Sequence, residues 1–247
     1  MLSIFSKSKK VDSAEVYGLL KTDMHSHLIP GVDDGSPDLA NSLKLIRGLH
    51  ELGYTKLITT PHIMWDIYKN SAGKITEKLG LLREAVQQEG IPVEIQAGAE
   101  YFLDDHVAEL LSNNQPLLKI SGNMVLTEFS MAYQPHGIKE IIFDMQMQGY
   151  QPVIAHPERY SYLIQNKGFY DELKDIGCLF QLNILSLGGG YGKTVLELAQ
   201  YLLKKDYYDL LGTDLHHSGH LEALRQQSVL QQVKKLMESG RFRNSGL

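Results

Sequence analysis

Asp23-Met24-His25-Ser26-His27 sets two imidazoles two residues apart, and residues at that spacing on a strand project to the same side. Two histidines aimed together are suited to holding a metal ion. Four further segments carry related chemistry: Thr60-Pro61-His62, Ala99-Glu100, Ala155-His156-Pro157 and Gly212-Thr213-Asp214-Leu215-His216. Each closes a short apolar run, where a strand should end. Glu100 and Glu128 both end apolar strand patterns, where an unpaired charge is costly and a metal partner would remove the cost. Imidazole and carboxylate donors without a thiolate suit zinc, manganese or iron, and do not suggest a structural zinc site. A lone histidine is more often a hydrogen-bonded core or surface residue, and His50, His106 and His136, on helix-like or loop segments, are read that way. The other pattern rests on five of the ten histidines, His25, His27, His62, His156 and His216, sitting at or near strand ends together.

Positioning such residues requires elements that bring distant segments together. From residue 21 onward strand-like and helix-like segments alternate, as in a mostly parallel sheet with helical crossovers. Strands are predicted at 21–27, Lys56 to Thr60, Val93 to Ala99, Met124 to Phe129, Pro152 to Ala155, Cys178 to Leu182 and Tyr208 to Thr213. Helices are expected over Asp38 to Leu52, Lys74 to Gln88, Asp104 to Leu111, Ile138 to Gln148, Tyr160 to Gly177, Lys193 to Lys205 and Leu221 to Met237. In a parallel barrel all strand C-termini emerge on one face, which would gather these motifs into one site.

The chain has 247 residues, 43% hydrophobic and 21% charged, enough for one α/β barrel of ordinary size. With a net charge of -5 and no basic stripe, nucleic acid is a poor partner. Cys178 is the single cysteine, so no intramolecular disulfide can form and a reducing compartment fits. Met1 to Lys10 places its basic residues after a short apolar patch, unlike a signal peptide, and reads as a frayed start. No run approaches the roughly 18 apolar residues of a spanning helix. A cytoplasmic protein without membrane insertion is expected, with residues 1–20 as an N-terminal extension and 21–240 as one domain.

Two tempting motifs fail. Gly188 to Thr194 lacks the glycine that a phosphate-binding loop needs at position 187, which is Leu187. A cysteine phosphatase loop starting at Cys178 would require arginine where Ile184 stands, and Cys178 is expected to begin a buried strand.

The motifs resemble the PHP (polymerase and histidinol phosphatase) superfamily, and within it the bacterial CpsB/YwqE-type protein tyrosine phosphatases. The resemblance spans about residues 21–220. It rests on Asp23 to His27 followed by Pro30-Gly31-Val32-Asp33-Asp34-Gly35, on Thr59-Thr60-Pro61-His62, Gly98-Ala99-Glu100, Ala155-His156-Pro157-Glu158-Arg159-Tyr160, and Thr213 to His216. It implies a distorted (β/α)7 barrel with three divalent metal ions, manganese before iron or zinc. One ion would be held by His25, His27, Glu100 and Asp214, a second by Glu100, Glu128 and His156, and a third by Asp34, His62 and His216. Asp33 is the alternative to Asp34.

The implied reaction is attack on phosphotyrosine by metal-activated water, with Arg159 as a planar fork on the phosphate. The family pattern has a further arginine beyond Asp214-Leu215-His216. Here the stretch is His217-Ser218-Gly219-His220-Leu221, so that contact is lost or taken over by His217 or His220, which are also the candidates for a general acid. Trp65, Tyr68 and Tyr133, in loops on the site face, could flank a tyrosyl ring. The implied partner is a bacterial tyrosine kinase controlling capsule or exopolysaccharide synthesis. The rival readings are a histidinol-phosphatase-like enzyme and a non-catalytic metal-binding regulator.

Overall fold

The apolar runs that lead into the polar motifs form short parallel strands, and helices cross between them. The structure, a computed structural model, describes residues 10–247, so nearly all of the stretch expected to fray, Met1 to Lys10, lies outside the described residues. The strands are β1 (Thr22–Asp23), β2 (Lys56–Thr59), β3 (His62–Ile63), β4 (Glu94–Ala97), β5 (Glu100–Phe102), β6 (Met124–Glu128), β7 (Gln151–Ala155), β8 (Leu179–Asn183) and β9 (Leu210–Gly212). The helices are α1 (Ser13–Leu20), α2 (Leu39–Leu52), α3 (Ala72–Gln88), α4 (Asp105–Ser112), α5 (Ile138–Met147), α6 (Gly168–Asp175), α7 (Lys193–Lys204), α8 (Ser218–Leu224) and α9 (Gln227–Met237). Asp38, Ser71 and Asp104 start α2, α3 and α4 by accepting the N–H of Asn41, Lys74 and Val107. No helix among the described residues is long and apolar enough to cross a membrane.

The strands pair in the orders β1-β2-β4 and β3-β5-β6-β7-β8-β9, all parallel. The second and third strand paths run on past their predicted ends, Thr60 and Ala99, into the short strands β3 and β5. Pro61, which has no N–H for the ladder, separates β2 from β3, and Gly98-Ala99 separates β4 from β5. Backbone bonds nevertheless continue through both breaks, from Gly98 N to Thr59 O at 3.0 Å and from Glu100 N to Pro61 O at 3.1 Å. The result is seven consecutive strand paths with a kink in two of them, which is the distorted (β/α)7 arrangement.

The first and last paths meet through the parallel bridge between Ser26 and Leu215. His27 N donates to Leu215 O at 2.9 Å and Asp214 N to His25 O at 2.8 Å. Below this bridge, side chains take the place of a ladder. Asp23 accepts the Thr213 N–H and hydroxyl at 3.0 and 2.8 Å. The amide of Asn244, fully buried, accepts from Leu211 N at 2.9 Å and donates to Leu211 O and Thr22 O at 2.6 and 3.2 Å.

A small core of Met24, Ile58, Ile120, Leu126, Val153, Ala155 and Leu210 is distinct from the larger one between strands and helices. Leu126 and Leu210 stand two and four residues before Glu128 and Asp214, so an apolar floor shares strand faces with the polar mouth.

Two further boundaries differ from the sequence expectation. Residues 13–20 form α1, whose Val16, Tyr17 and Leu20 are fully buried in the main core, and Val11 exchanges two hydrogen bonds with the Gln227 side chain. The closing helix expected over Leu221 to Met237 is two helices. Gln226 is extended, with ψ of 133°, and the Gln227 bonds to Val11 draw α9 against α1.

Candidate active site

All nine side chains expected as metal ligands face one another at the C-terminal mouth of the strands. His25 and His27 present their Nε2 atoms 3.3 Å apart. Glu100 Oε2 lies 3.1 and 3.4 Å from these two nitrogens, and Asp214 Oδ1 lies 3.3 and 3.6 Å from them. Glu100 turns its other oxygen to His156 Nε2 at 3.0 Å. His62 stands between two groups of donors: its Nδ1 is 2.9 Å from Glu128 Oε1 and 3.3 Å from Glu100 Oε2, and its Nε2 is 3.5 Å from Asp34 Oδ1. His216 Nε2 meets the same Asp34 oxygen at 3.5 Å. Within each of four overlapping groups, the donor atoms lie inside 4.8 Å of one another.

The outer nitrogens explain the inner ones. His25 Nδ1 is 2.9 Å from Gln181 Oε1, an oxygen identified by its also accepting the His156 N–H. His27 Nδ1 donates to Asp33 Oδ2 at 2.8 Å, and His216 Nδ1 to the Asp214 carbonyl at 2.9 Å. A proton held on Nδ1 leaves a lone pair on Nε2, aimed inward, which is how metal-binding imidazoles are oriented. Asp33 and Asp34 are thereby distinguished. Asp33 also accepts from Gly35 N and His62 N and so holds His27 from behind, whereas Asp34 joins the inward-facing donors.

With each ring's proton on Nδ1, the His25 and His27 lone pairs join Glu100 and Asp214 as four acceptors directed at one region, the electrostatics that a divalent cation satisfies. Buried Glu128 Oε1 and His62 Nδ1, 2.9 Å apart, face each other without hydrogen-bond geometry, and buried His156 Nδ1 has no partner. The residues present therefore fit metal binding. The excess of carboxylate charge shows in the titration of the rings. Burial pushes His25 down, yet Glu100 and Asp214 outweigh it and hold the imidazole up at about 9. Burial likewise opposes His62, and Glu100 and Glu128 hold it at about 10.

Glycine permits the tight packing at two points. A Cβ on Gly35 would lie 2.4 Å from His27 Cβ, and one on Gly212 2.7 Å from His25 Cβ. His156 and Asp214 adopt φ of 33° and 50°, the left-handed region that non-glycine residues avoid. Each such residue costs on the order of 1–3 kcal/mol, a strain characteristic of functional positions.

A pocket of about 230 Å³ opens over this cluster, lined by Arg159, Tyr191, His217 and His220 together with Asp34, Asp214 and His216. Arg159 donates to Asp214 Oδ2 at 2.6 Å and rests on the Tyr191 ring, 4.8 Å from its centroid. His217 accepts the Gly219 N–H on Nδ1 and so starts α8. His220 Nδ1 accepts from His216 N at 3.3 Å, and burial together with the nearby His217 pushes its imidazole down to about 4. His220 is accordingly neutral near pH 7. Of the loop aromatics, Tyr68 stacks on His62, Trp65 stacks on His106 at 3.9 Å, and Tyr133 is exposed. Cys178 is buried before β8, its thiol pushed up to about 12 by burial.

Several participants were not singled out from sequence. Gln181 and Asn183 lie two apart on β8, the spacing that drew notice to His25 and His27; Asn183 Nδ2 donates to Asp214 Oδ2 at 2.9 Å. Glu158, fully buried, accepts from Asn183 N, Ser186 Oγ and Tyr208 OH and anchors the turn that carries Arg159. Tyr191 sits in the glycine-rich stretch Gly188 to Gly192 and lines the pocket beside Arg159.

A profile of the family described as "Capsular polysaccharide synthesis, CpsB/CapC" matches residues 21–243. The chain belongs to the CpsB/CapC family. This member is 30% identical over 195 residues to tyrosine-protein phosphatase YwqE of Bacillus subtilis (strain 168), covering 79% of this chain and 77% of the relative. It is 30% identical over 212 residues to tyrosine-protein phosphatase CpsB of Streptococcus pneumoniae, covering 83% and 87%. A solved structure from work on YwqE and CpsB, described as metal-dependent tyrosine phosphatases, aligns with a TM-score of 0.78 at 27% identity over 88% of this chain and 91% of the other.

Proposed function

We propose that this chain is a metal-dependent protein tyrosine phosphatase that uses water as the nucleophile. The observation that carries the reading is the convergence of nine donors at the strand mouth, three of which, Asp34, Asp214 and His216, line a pocket with Arg159, in a chain of the CpsB/CapC family. His25, His27, Glu100 and Asp214 would hold one divalent ion, Glu100, Glu128 and His156 a second, and Asp34, His62 and His216 a third, with manganese proposed before iron or zinc. When bound, such ions supply positive charge for the phosphoryl oxygens and acidify water at neutral pH.

The protein's own groups do the rest. Arg159 has one guanidinium edge fixed by Asp214 and its face on Tyr191, which leaves N–H groups free for phosphoryl oxygens in the pocket. Gln181, Asp33 and the Asp214 carbonyl keep the imidazole lone pairs inward. A phenol, with pKa about 10, departs more readily than an alkoxide. The reaction therefore makes little demand for a strong acid, in keeping with a neutral His220. His220 or the exposed His217 could still donate a hydrogen bond from Nε2 to the leaving oxygen.

The proposed partner is a phosphotyrosyl protein, in the setting suggested by the family description a bacterial tyrosine kinase of capsule synthesis. A cytoplasmic setting is supported by the single cysteine, buried and unpaired. The test is kcat/KM for phosphotyrosyl peptides, para-nitrophenyl phosphate and histidinol phosphate, with chelator and with added manganese. Preference for phosphotyrosyl peptides, lost on chelation and restored by metal, is expected. Preference for histidinol phosphate would overturn the substrate class, and absence of turnover with metal present would favour a regulatory role.

A further inference from the structure

Beside the phosphate-binding pocket lies a second depression of about 180 Å³, walled by Leu185 and Gly190 on one side and by Ala223 and Val229 on the other. It runs between the glycine-rich loop and helices α8 and α9, and its surface is mainly apolar. Tyr191 and His220 line both depressions, so the two are neighbours. Nothing in the metal cluster or the phosphate contacts accounts for an apolar cleft at this place.

We propose that this cleft is an aryl subsite, which takes the aromatic ring of a phosphate ester whose phosphate lies against Arg159. The proposal rests on the phosphatase reading and adds the residues that select the leaving group. Three observations converge on it. Arg159 and Tyr191 line the phosphate pocket together, the guanidinium lying over the Tyr191 ring, and Tyr191 also lines the cleft, so the cleft is a neighbour of any phosphate held on Arg159. The size fits one ring, since a cavity of roughly 150 Å³ lined by aliphatic and aromatic side chains binds benzene. The lining matches as well: Leu185 and Val229 are nearly fully buried aliphatics, and the ring of Tyr191 can meet another ring by offset or edge contact. An alkyl phosphate such as phosphoserine would leave the cleft wet and gain nothing from it.

The test fills the cleft from either wall without touching the phosphate contacts. A Cβ on Gly190 meets no atom within 4 Å and needs no left-handed backbone, so Gly190→Leu should fold normally. Ala223→Phe approaches from α8, and melting temperatures check both variants. In the metal-loaded full chain, kcat/KM for para-nitrophenyl phosphate and for free phosphotyrosine should fall by about tenfold or more, the scale of a lost apolar contact of one to a few methylenes. Inhibition by inorganic phosphate, which reads only the phosphate contacts, should be unchanged. Unchanged aryl turnover in both folded variants would overturn the subsite while leaving the phosphatase reading intact. So would a loss confined to phosphopeptides with apolar flanking residues, which would give the cleft to a neighbouring side chain. A wild-type enzyme that prefers alkyl phosphates would instead defeat the phosphotyrosine reading itself.

Discussion

Replacing Asp33 with asparagine tests whether the histidines are aimed by their outer partners. Asp33 Oδ2 accepts from His27 Nδ1 at 2.8 Å and from His62 N at 3.1 Å, while Oδ1 accepts from Gly35 N at 3.0 Å. A carboxamide has one acceptor and one donor in those two places. With its NH2 toward Gly35 it sets donor against donor, leaving a backbone N–H unmatched at a cost of about 1–3 kcal/mol. With its NH2 toward His27 it forces the proton from Nδ1 to Nε2, into the space between Glu100 and Asp214. Loss of such an outer partner weakens metal affinity by roughly 10- to 100-fold, equivalent to about 1.4–2.8 kcal/mol. The assay is phosphatase activity against buffered free manganese. Asp33→Asn should need about 10- to 100-fold more metal for half-activity and recover most of its turnover at saturation. Asp34→Ala, which removes a half-exposed donor facing His62 and His216, should lose turnover that added metal does not restore. A normal metal requirement in Asp33→Asn, or the reverse ranking of the two variants, would refute the assignment.

Arg159→Lys should lower kcat/KM by at least about tenfold, because a point charge cannot keep Asp214, stack on Tyr191 and still present a fork to phosphate; unchanged steady-state kinetics would count against its role. His25 and His62 are held at about 9 and about 10 in the ion-free protein, above the roughly 6.5 of an unfolded chain. The stability from their protons is complete below about pH 6.5 and disappears as pH rises through 9 to 10, so chelated protein should lose melting temperature between about pH 7 and 10. Metal-loaded protein, whose ligands are already deprotonated, should not show that fall. Asn244→Ala should destabilise by about 1–3 kcal/mol, measured by denaturant unfolding, since it strips partners from Leu211 and Thr22. Cys178→Ser should leave turnover intact and lower only stability, because the residue is buried away from the pocket.

The parts of this fold that sequence made legible are those governed by short-range rules. Apolar runs of strand length, helix starts at Asp38 and Asp104, and polar residues at strand ends each follow from local spacing. The kinks were not legible in that way: Pro61 and Gly98 read as strand ends or interior positions, and only the pairing across them reveals one path split into two. Asp33 and Asp34 are adjacent and chemically identical, so their separate roles depend on which way a folded loop turns each carboxylate. Gln181 and Asn183 had a usable signal, two polar residues on one face of an apolar strand, but an amide draws less notice than an imidazole. Residues 11–20 looked detachable because their partners, Gln227 and the main core, are remote in sequence.

The seam between the first and last strand paths has a consequence for how the protein is made. Its contacts join Asp23 to Thr213 across 190 positions and Thr22 to Asn244 across 222, and closure of such long loops carries the entropic penalty that slows folding. A nascent chain short of Asp214 holds the His25 and His27 pair without the carboxylate that faces both, and one short of Asn244 holds the full donor set beside an unsealed edge. Tight metal capture should therefore come late in folding, so that the ion is retained by finished molecules and released by incomplete ones. Metal occupancy in a growing cell would then serve as a measure of how much of this protein has folded.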